Sequence, residues 1–315
     1  MPKVSIIMNC YNGEKYLREA IDSVYTQSFE DWEIIFWDNA STDQTPSIAA
    51  TYSHKLKYFR SSVLLTLGAA RREAVLKATG EWIAFLDCDD YWFPDKLRSQ
   101  LDALSGTDYV LCYAGIREID HDDRLIREVF PQHKSGQLLE KLLLQFDINM
   151  VTPMLRRDVL EQYRLNFDEN VTASEEYNLF VRLAAKGMVL ALPKILGSYR
   201  VSAGSLTDRQ ISQWAVERYY TLDQLKQENS GIEERFPKAF KEAYARGDYY
   251  KARYLMTEGR NVEAREIMAG IATQDYRYRL LEIVLYIPGL WNLVHGNLMK
   301  RRIGPWLINL FTHKI

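Results

Sequence analysis

Asp87-Cys88-Asp89-Asp90 sets three carboxylates within four residues, directly after the apolar run Trp82-Ile83-Ala84-Phe85-Leu86. Such charges repel: at an effective dielectric of about 20, two of them about 4 Å apart cost roughly 4 kcal/mol. A divalent cation removes that cost, and an all-oxygen donor set suits Mg²⁺ or Mn²⁺. The plainer reading is a solvated acidic turn ahead of a helix that starts near Pro94-Asp95. The apolar strand before the cluster argues against it, because it puts the acids at the edge of a sheet. A second acidic pair, Ser174-Glu175-Glu176, opens a helical pattern with Leu179, Phe180, Leu183 and Ala184 on one side. Acids in a first turn are favoured by the helix dipole whatever they do. A carboxylate within reach of a hydroxyl is also a general base, worth about 10²–10⁴ in rate. From these residues alone both readings stand.

The elements that must position these groups follow from periodicity. Val4–Met8 is a continuous apolar run, the pattern of a strand buried on both faces, and Glu33–Trp37, Leu56–Arg60 and Trp82–Leu86 read as further strands. Between them Leu17, Ala20, Ile21, Val24 and Tyr25 recur at helical spacing, Ser41-Thr42-Asp43 caps a helix through Ile48 to Tyr52, and Leu67–Ala78 is a helix ended by Gly80. This alternation predicts an α/β fold with a parallel sheet and right-handed crossovers, whose ligands bind at the carboxyl ends of the strands. Three polar clusters fall at such ends: Asn9-Cys10-Tyr11, Asp38-Asn39 and Asp87–Asp90. Downstream, Asp95–Leu104 and Glu175–Ala185 read as helices, and Tyr109–Tyr113, Met154–Arg156 and Ile195–Val201 as strands. From about Arg209 the pattern is helical throughout, which sets a boundary near Asp208. There Ala243–Asp248 and Met256–Asn261 resemble the turns between helices of a tetratricopeptide-like array.

Composition narrows the function. A formal charge of −2 argues against a nucleic-acid binder, and 47% apolar with 26% charged residues excludes a disordered chain. Cys10, Cys88 and Cys112 have neither metal-ligand spacing nor an even disulfide framework, which fits a reducing cytoplasm. Met1-Pro2-Lys3 leads straight into a strand with no secretory pattern, and no apolar stretch reaches the ~18 residues of a spanning helix. The segment 283–315 lacks acids and mixes Lys300, Arg301, Arg302 and Lys314 with Trp291, Leu293, Trp306 and Phe311. It suits packing on the α/β domain or a homodimer contact, and equally a peripheral membrane contact.

The run from Trp82 to Leu97 resembles the Asp-x-Asp segment of glycosyltransferase family 2, inverting enzymes with a GT-A fold. Val4–Asn12, Asp38–Asp43 and Gly68–Arg71 are similar to three further motifs of that family, in the same order. The resemblance implies a Rossmann-like, mixed, mostly parallel sheet, and the helical pattern beyond it adds an α-helical C-terminal extension. The resemblance makes 1–208 a GT-A domain with a nucleotide-binding half (1–97) and an acceptor half (98–208), ahead of the helical region that the pattern puts at 209–315. It implies that Tyr11 and Asn9 line the base pocket, that Asp38 and Asn39 meet base and ribose, and that Arg71 contacts the nucleotide or its phosphates. Asp87 would reach the ribose or the metal through water, and Asp89 would ligate Mn²⁺ or Mg²⁺. Glu176 takes the position of the catalytic base, with Glu175 as the other contender, and Arg200 is placed to neutralise phosphate. The expected reaction moves a sugar from a UDP- or dTDP-type donor to a hydroxyl of a cell-envelope glycan or lipid-linked acceptor. A catalytically silent nucleotide-sugar-binding or scaffold protein is the alternative. A nucleotidyltransferase would carry a Gly-rich phosphate loop, where this chain has only Asn12-Gly13.

Overall fold

The structure, a computed structural model, describes residues 1–201, 210–286 and 291. The chain divides into two compact units, 1–139 with 148–205 and 140–147 with 206–315. The boundary expected near Asp208 lies outside the described residues.

In the first unit β1 (Val4–Cys10) and β2 (Trp32–Asp38) are buried along their whole length. Both run parallel to each other, β3 (Leu56–Arg60) joins β2 and β4 (Trp82–Phe85) joins β1, again in parallel. In this register Cys10 lies beside Asp38, so two of the polar clusters end on one edge. Beyond β4 the direction changes. The sheet order is β3-β2-β1-β4-β8-β6-β9-β5, with β7 (Leu125–Val129) on β6. Strand β8 (Met154–Arg156) is antiparallel to β4 and to β6 (Tyr109–Ile119). Strand β9 (Met188–Arg200) runs parallel to β6, and β5 (Tyr91–Trp92) is antiparallel to β9. The mixed, mostly parallel sheet expected from the sequence is therefore present. Strands β5 and β7 were not anticipated, and β6 and β9 are longer than the apolar runs that announced them.

Along the chain the helices alternate with these strands: α1 (Leu17–Tyr25), α2 (Thr45–Ala49), α3 (Leu67–Val75), α4 (Lys96–Leu104), α5 (Leu139–Leu144), all but its first residue in the second unit, α6 (Arg157–Gln162) and α7 (Glu175–Ala184). The Thr66 hydroxyl caps α3 by accepting from the Ala69 N–H at 3.3 Å. The helix stops at Val75, and Gly80 does not end it. Gly80 instead lies against β1: a Cβ there would stand 2.5 Å from the Ser5 nitrogen. The Ser5 hydroxyl accepts from the Thr79 and Gly80 N–H groups and donates to Glu33 at 2.6 Å, tying the loop before β4 to β1 and β2. Helix α7 packs its buried face on the sheet, where Phe180 lies 6.4 Å from Phe85 between ring centres.

The second unit is helical: α8 (Ile211–Glu228), α9 (Ile232–Arg235), α10 (Pro237–Thr257), α11 (Asn261–Ile271) and α12 (Tyr276–Leu285). The Met256–Asn261 stretch is a turn, with Gly259 at φ 75° between α10 and α11. Ala243–Asp248 is not a turn but the interior of α10. Its glycine has a packing reason, since a Cβ on Gly247 would stand 2.4 Å from the Tyr219 ring of α8. No helix among the described residues is long and apolar enough to cross a membrane. Apart from Ile283–Tyr286 and Trp291, the 283–315 segment lies outside the described residues.

Candidate active site

The loops after β1 and β2 are knitted together at the carboxyl edge. The Asn39 N–H donates to the Cys10 carbonyl at 2.8 Å, the Asn12 N–H to the Ser41 hydroxyl at 3.0 Å, and the Thr42 N–H to the Asn12 side chain at 2.8 Å. Asn12 and Ala40 hold left-handed backbone, at φ 53° and 65°, so both loops turn sharply over the same edge. Tyr11 stands 49% exposed there. Beside it Asn9 is buried, and neither atom of its amide has a hydrogen-bond partner in the protein. A buried amide left in that state costs roughly 1–3 kcal/mol until a ligand completes it.

Asp38 and Asn39, expected to meet base and ribose, are held by partners within the protein. Asp38 has no exposed surface. Its oxygens accept from the Ser41 N–H at 2.8 Å, the Tyr58 hydroxyl at 2.5 Å and Arg60 at 3.1 Å. Asn39 clamps the backbone of Leu65, donating at 2.9 Å and accepting at 3.0 Å. Both side chains brace the loops at the end of β2. Tyr58 and Arg60 were missed by the sequence reading, because only the β2–β3 register puts them beside Asp38.

The acidic turn after β4 separates into three environments. Asp90 is 2% exposed and accepts from the Arg200 N–H at 2.8 Å, and burial first, then the Asp89 and Asp87 charges, hold its carboxyl well above the usual range. It is a structural group. Asp89 is partly open, and burial together with the Asp87 carboxylate pushes it up to about 6. A cation placed there would relieve both effects, so the donor chemistry fits a hard divalent metal. Asp87 turns both oxygens to Arg71, which donates from Nη2 at 2.7 and 3.0 Å. Cys88 packs with Cys10 over Gly13, where a Cβ would stand 2.4 Å from the Cys10 sulfur and 2.9 Å from that of Cys88.

Arg71 also donates to Glu175 at 2.7 Å from Nη1. The first turn of α7 is thereby brought to the acidic turn. Glu175 is 3% exposed, and burial and the neighbouring Glu176 charge raise its carboxyl while Arg71 opposes them. Glu176, one residue on, is only partly buried.

Arg200, expected at phosphate, spends its guanidinium inside the protein. It donates to the Asp89 carbonyl at 3.0 Å, to Asp123 at 2.6 Å and to Glu19 at 2.8 Å, and lies 4.1 Å above the Tyr16 ring. It fastens the end of β9 under the acidic turn. A different trio, Asp120, His121 and Asp122, brings its donor atoms within 4.8 Å of one another. It stands on the β6–β7 turn, where Asp120 accepts from the Asp122 and Arg124 N–H groups at 2.9 and 3.0 Å. Those bonds shape the turn and explain the cluster.

Comparison with known proteins supplies the context. A family model described as glycosyl transferase family 2 matches residues 5–164. The chain is 28% identical, over 68% of its length and 84% of the relative's, to the UDP-Glc:alpha-D-GlcNAc-diphosphoundecaprenol beta-1,3-glucosyltransferase WfgD of Escherichia coli. Other curated relatives are longer: the chain spans 35% of the length of two rickettsial glycosyltransferases that it matches. Among solved structures, S. aureus TarS 1–349 in complex with UDP-GlcNAc superposes with a TM-score of 0.64 at 20% identity, covering 90% of this chain and 86% of that one. The Pyrobaculum calidifontis mannosyltransferase in complex with GDP-Man and Mn²⁺ superposes at 0.54 and 17% identity, covering 90% and 84%.

Proposed function

This chain belongs to glycosyl transferase family 2, and on that premise we propose that it moves a sugar from a UDP- or dTDP-type donor to a hydroxyl of a cell-envelope glycan or lipid-linked acceptor, inverting the anomeric carbon. The observation that carries the reading is the convergence on one edge of four groups: the exposed Tyr11 ring, the unpartnered Asn9 amide, the desolvated Asp89 carboxyl and the acidic start of α7.

Each group has a task under this reading. Tyr11 stacks on the base, and the Asn9 amide offers it one donor and one acceptor. Asp38, held by Tyr58, Arg60 and Ser41, keeps the end of β2 rigid. Asp89 would hold Mn²⁺ or Mg²⁺ directly and Asp87 through water, and the bound ion supplies positive charge to the leaving diphosphate. Glu176 takes the proton from the acceptor hydroxyl as its oxygen attacks the anomeric carbon on the face opposite the leaving group. The positive end of α7 stabilises the Glu176 carboxylate before that transfer.

The test is thermal unfolding with UDP, dTDP and GDP, each with and without Mn²⁺. A ligand at about 100 times its Kd adds roughly 2.7 kcal/mol. A pyrimidine diphosphate should raise Tm, and only with the metal. No shift with any nucleotide would overturn the proposal, and a shift with GDP alone would overturn its choice of base.

A further inference from the structure

We propose that Glu175 is a positioning residue for the transfer reaction, joined through Arg71 to Asp87 so that the base-bearing turn of α7 and the cation-binding turn after β4 move as one piece. The proposal rests on the reading of Glu176 as base and Asp89 as metal ligand.

Arg71 is 4% exposed and stands in the middle of α3, yet all its observed side-chain hydrogen bonds leave that helix. Nη1 reaches Glu175, 104 residues further along the chain, and Nη2 takes both oxygens of Asp87, 16 residues along. Its guanidinium carbon lies 5.9 Å from the centre of the Phe167 ring, which limits where the plane can swing. One planar fork thus fixes two carboxylates from two elements at a set separation, a task for which lysine has the wrong shape.

This placement removes two other roles. With Nη1 and Nη2 committed to carboxylates, Arg71 does not depend on a nucleotide for its partners. Glu175 is 3% exposed and turns its carboxylate inward to Arg71, out of reach of an arriving acceptor hydroxyl. Glu176 follows it by about 100° around the helix, on a side that is less buried. What Glu175 controls is where Glu176 stands relative to the donor. A misplacement of about 1 Å at that point costs on the order of 10²-fold in rate.

A double-mutant cycle on the full chain tests this, with Glu175→Gln, Arg71→Lys and the pair assayed for kcat, donor KM and urea midpoint. Glu175→Gln should lower kcat by about 10- to 100-fold with donor KM within about threefold of wild type. Arg71→Lys keeps the charge and loses the fork, so it should lower kcat similarly even if Glu175→Gln proves hard to fold. The pair should be no slower than the worse single variant, because both changes break one link. Wild-type kcat in folded Glu175→Gln, a KM rise that accounts for the loss, or losses that multiply in the pair would each overturn the proposal. Glu176→Gln tests the base separately. Full turnover there removes the base assignment, while the Arg71–Glu175 link is still read in the urea midpoints of the cycle.

Discussion

Asp89 is the residue where withdrawal from water and like charge meet, and its raised carboxyl records both. Asp89→Ala should abolish Mn²⁺-dependent binding of a nucleoside diphosphate while the circular dichroism spectrum stays that of wild type. Undiminished turnover in excess chelator would contradict the metal assignment. Glu176→Gln preserves size and removes basicity, so donor affinity should persist while transfer falls about 10²–10⁴-fold. Lys96 makes a prediction about stability. It is fully buried, its Nζ has no hydrogen-bond partner, and it lies 3.9 Å above the Trp92 ring. Burial pushes this amine down from 10.5 to about 7. Between those values the unfolded chain holds a proton that the folded protein does not, so stability rises with pH across that window. Below it both states are protonated and the whole penalty, about 5 kcal/mol, applies. Lys96→Met should therefore raise the urea midpoint at pH 7, and the advantage should shrink as pH approaches 10; a pH-independent difference would refute the cause. The acidic groups at the strand ends were legible in the sequence from residue type and spacing. The partners of Asp38 and the bridge at Arg71 were not, because strand register and a contact across 104 residues leave no local pattern.

At the level of elements, the buried strands were the readable ones. β1, β2 and β4 are continuous apolar runs because both faces are covered. β5 has two residues and β7 is largely exposed, so neither carries a period, and pairing with β9 and β6 is what makes them strands. Gly80 shows a correct residue read for the wrong reason: it marks a close approach of backbones, not a helix end. Gly80→Ala should lower stability by about 1–3 kcal/mol, since the 2.5 Å neighbour is main-chain nitrogen that cannot turn aside. Equal urea midpoints for the two proteins would show that the β1 contact gives way freely. The helix α10 glycine belongs to the same class, where helical context turned a turn signal into a packing device.

For the whole molecule, the formal charge of −2 leaves any attraction to an anionic surface to local clusters. The basic and aromatic residues of 283–315 are the strongest such cluster in the sequence, and each Lys or Arg near an anionic leaflet contributes about 1 kcal/mol. Wild type should sediment with anionic vesicles at low salt, and Lys300, Arg301 and Arg302 changed together to Gln should not. Equal, negligible pelleting of both would leave packing or self-association as the role of the segment. The bond from Arg200 to Glu19 joins residues 181 apart, and it has a consequence in time. A ribosome adding about 5–20 residues per second needs on the order of ten seconds or more to deliver the second partner after the first. Within that interval β1, β2 and β4 emerge first, and the far edge of β4 stays open until β8 follows and pairs with it. The nascent chain thus carries an open, apolar sheet edge, the kind that recruits other chains. Production of soluble protein should accordingly depend on translation speed and chaperone supply more than the stability of the finished fold would suggest.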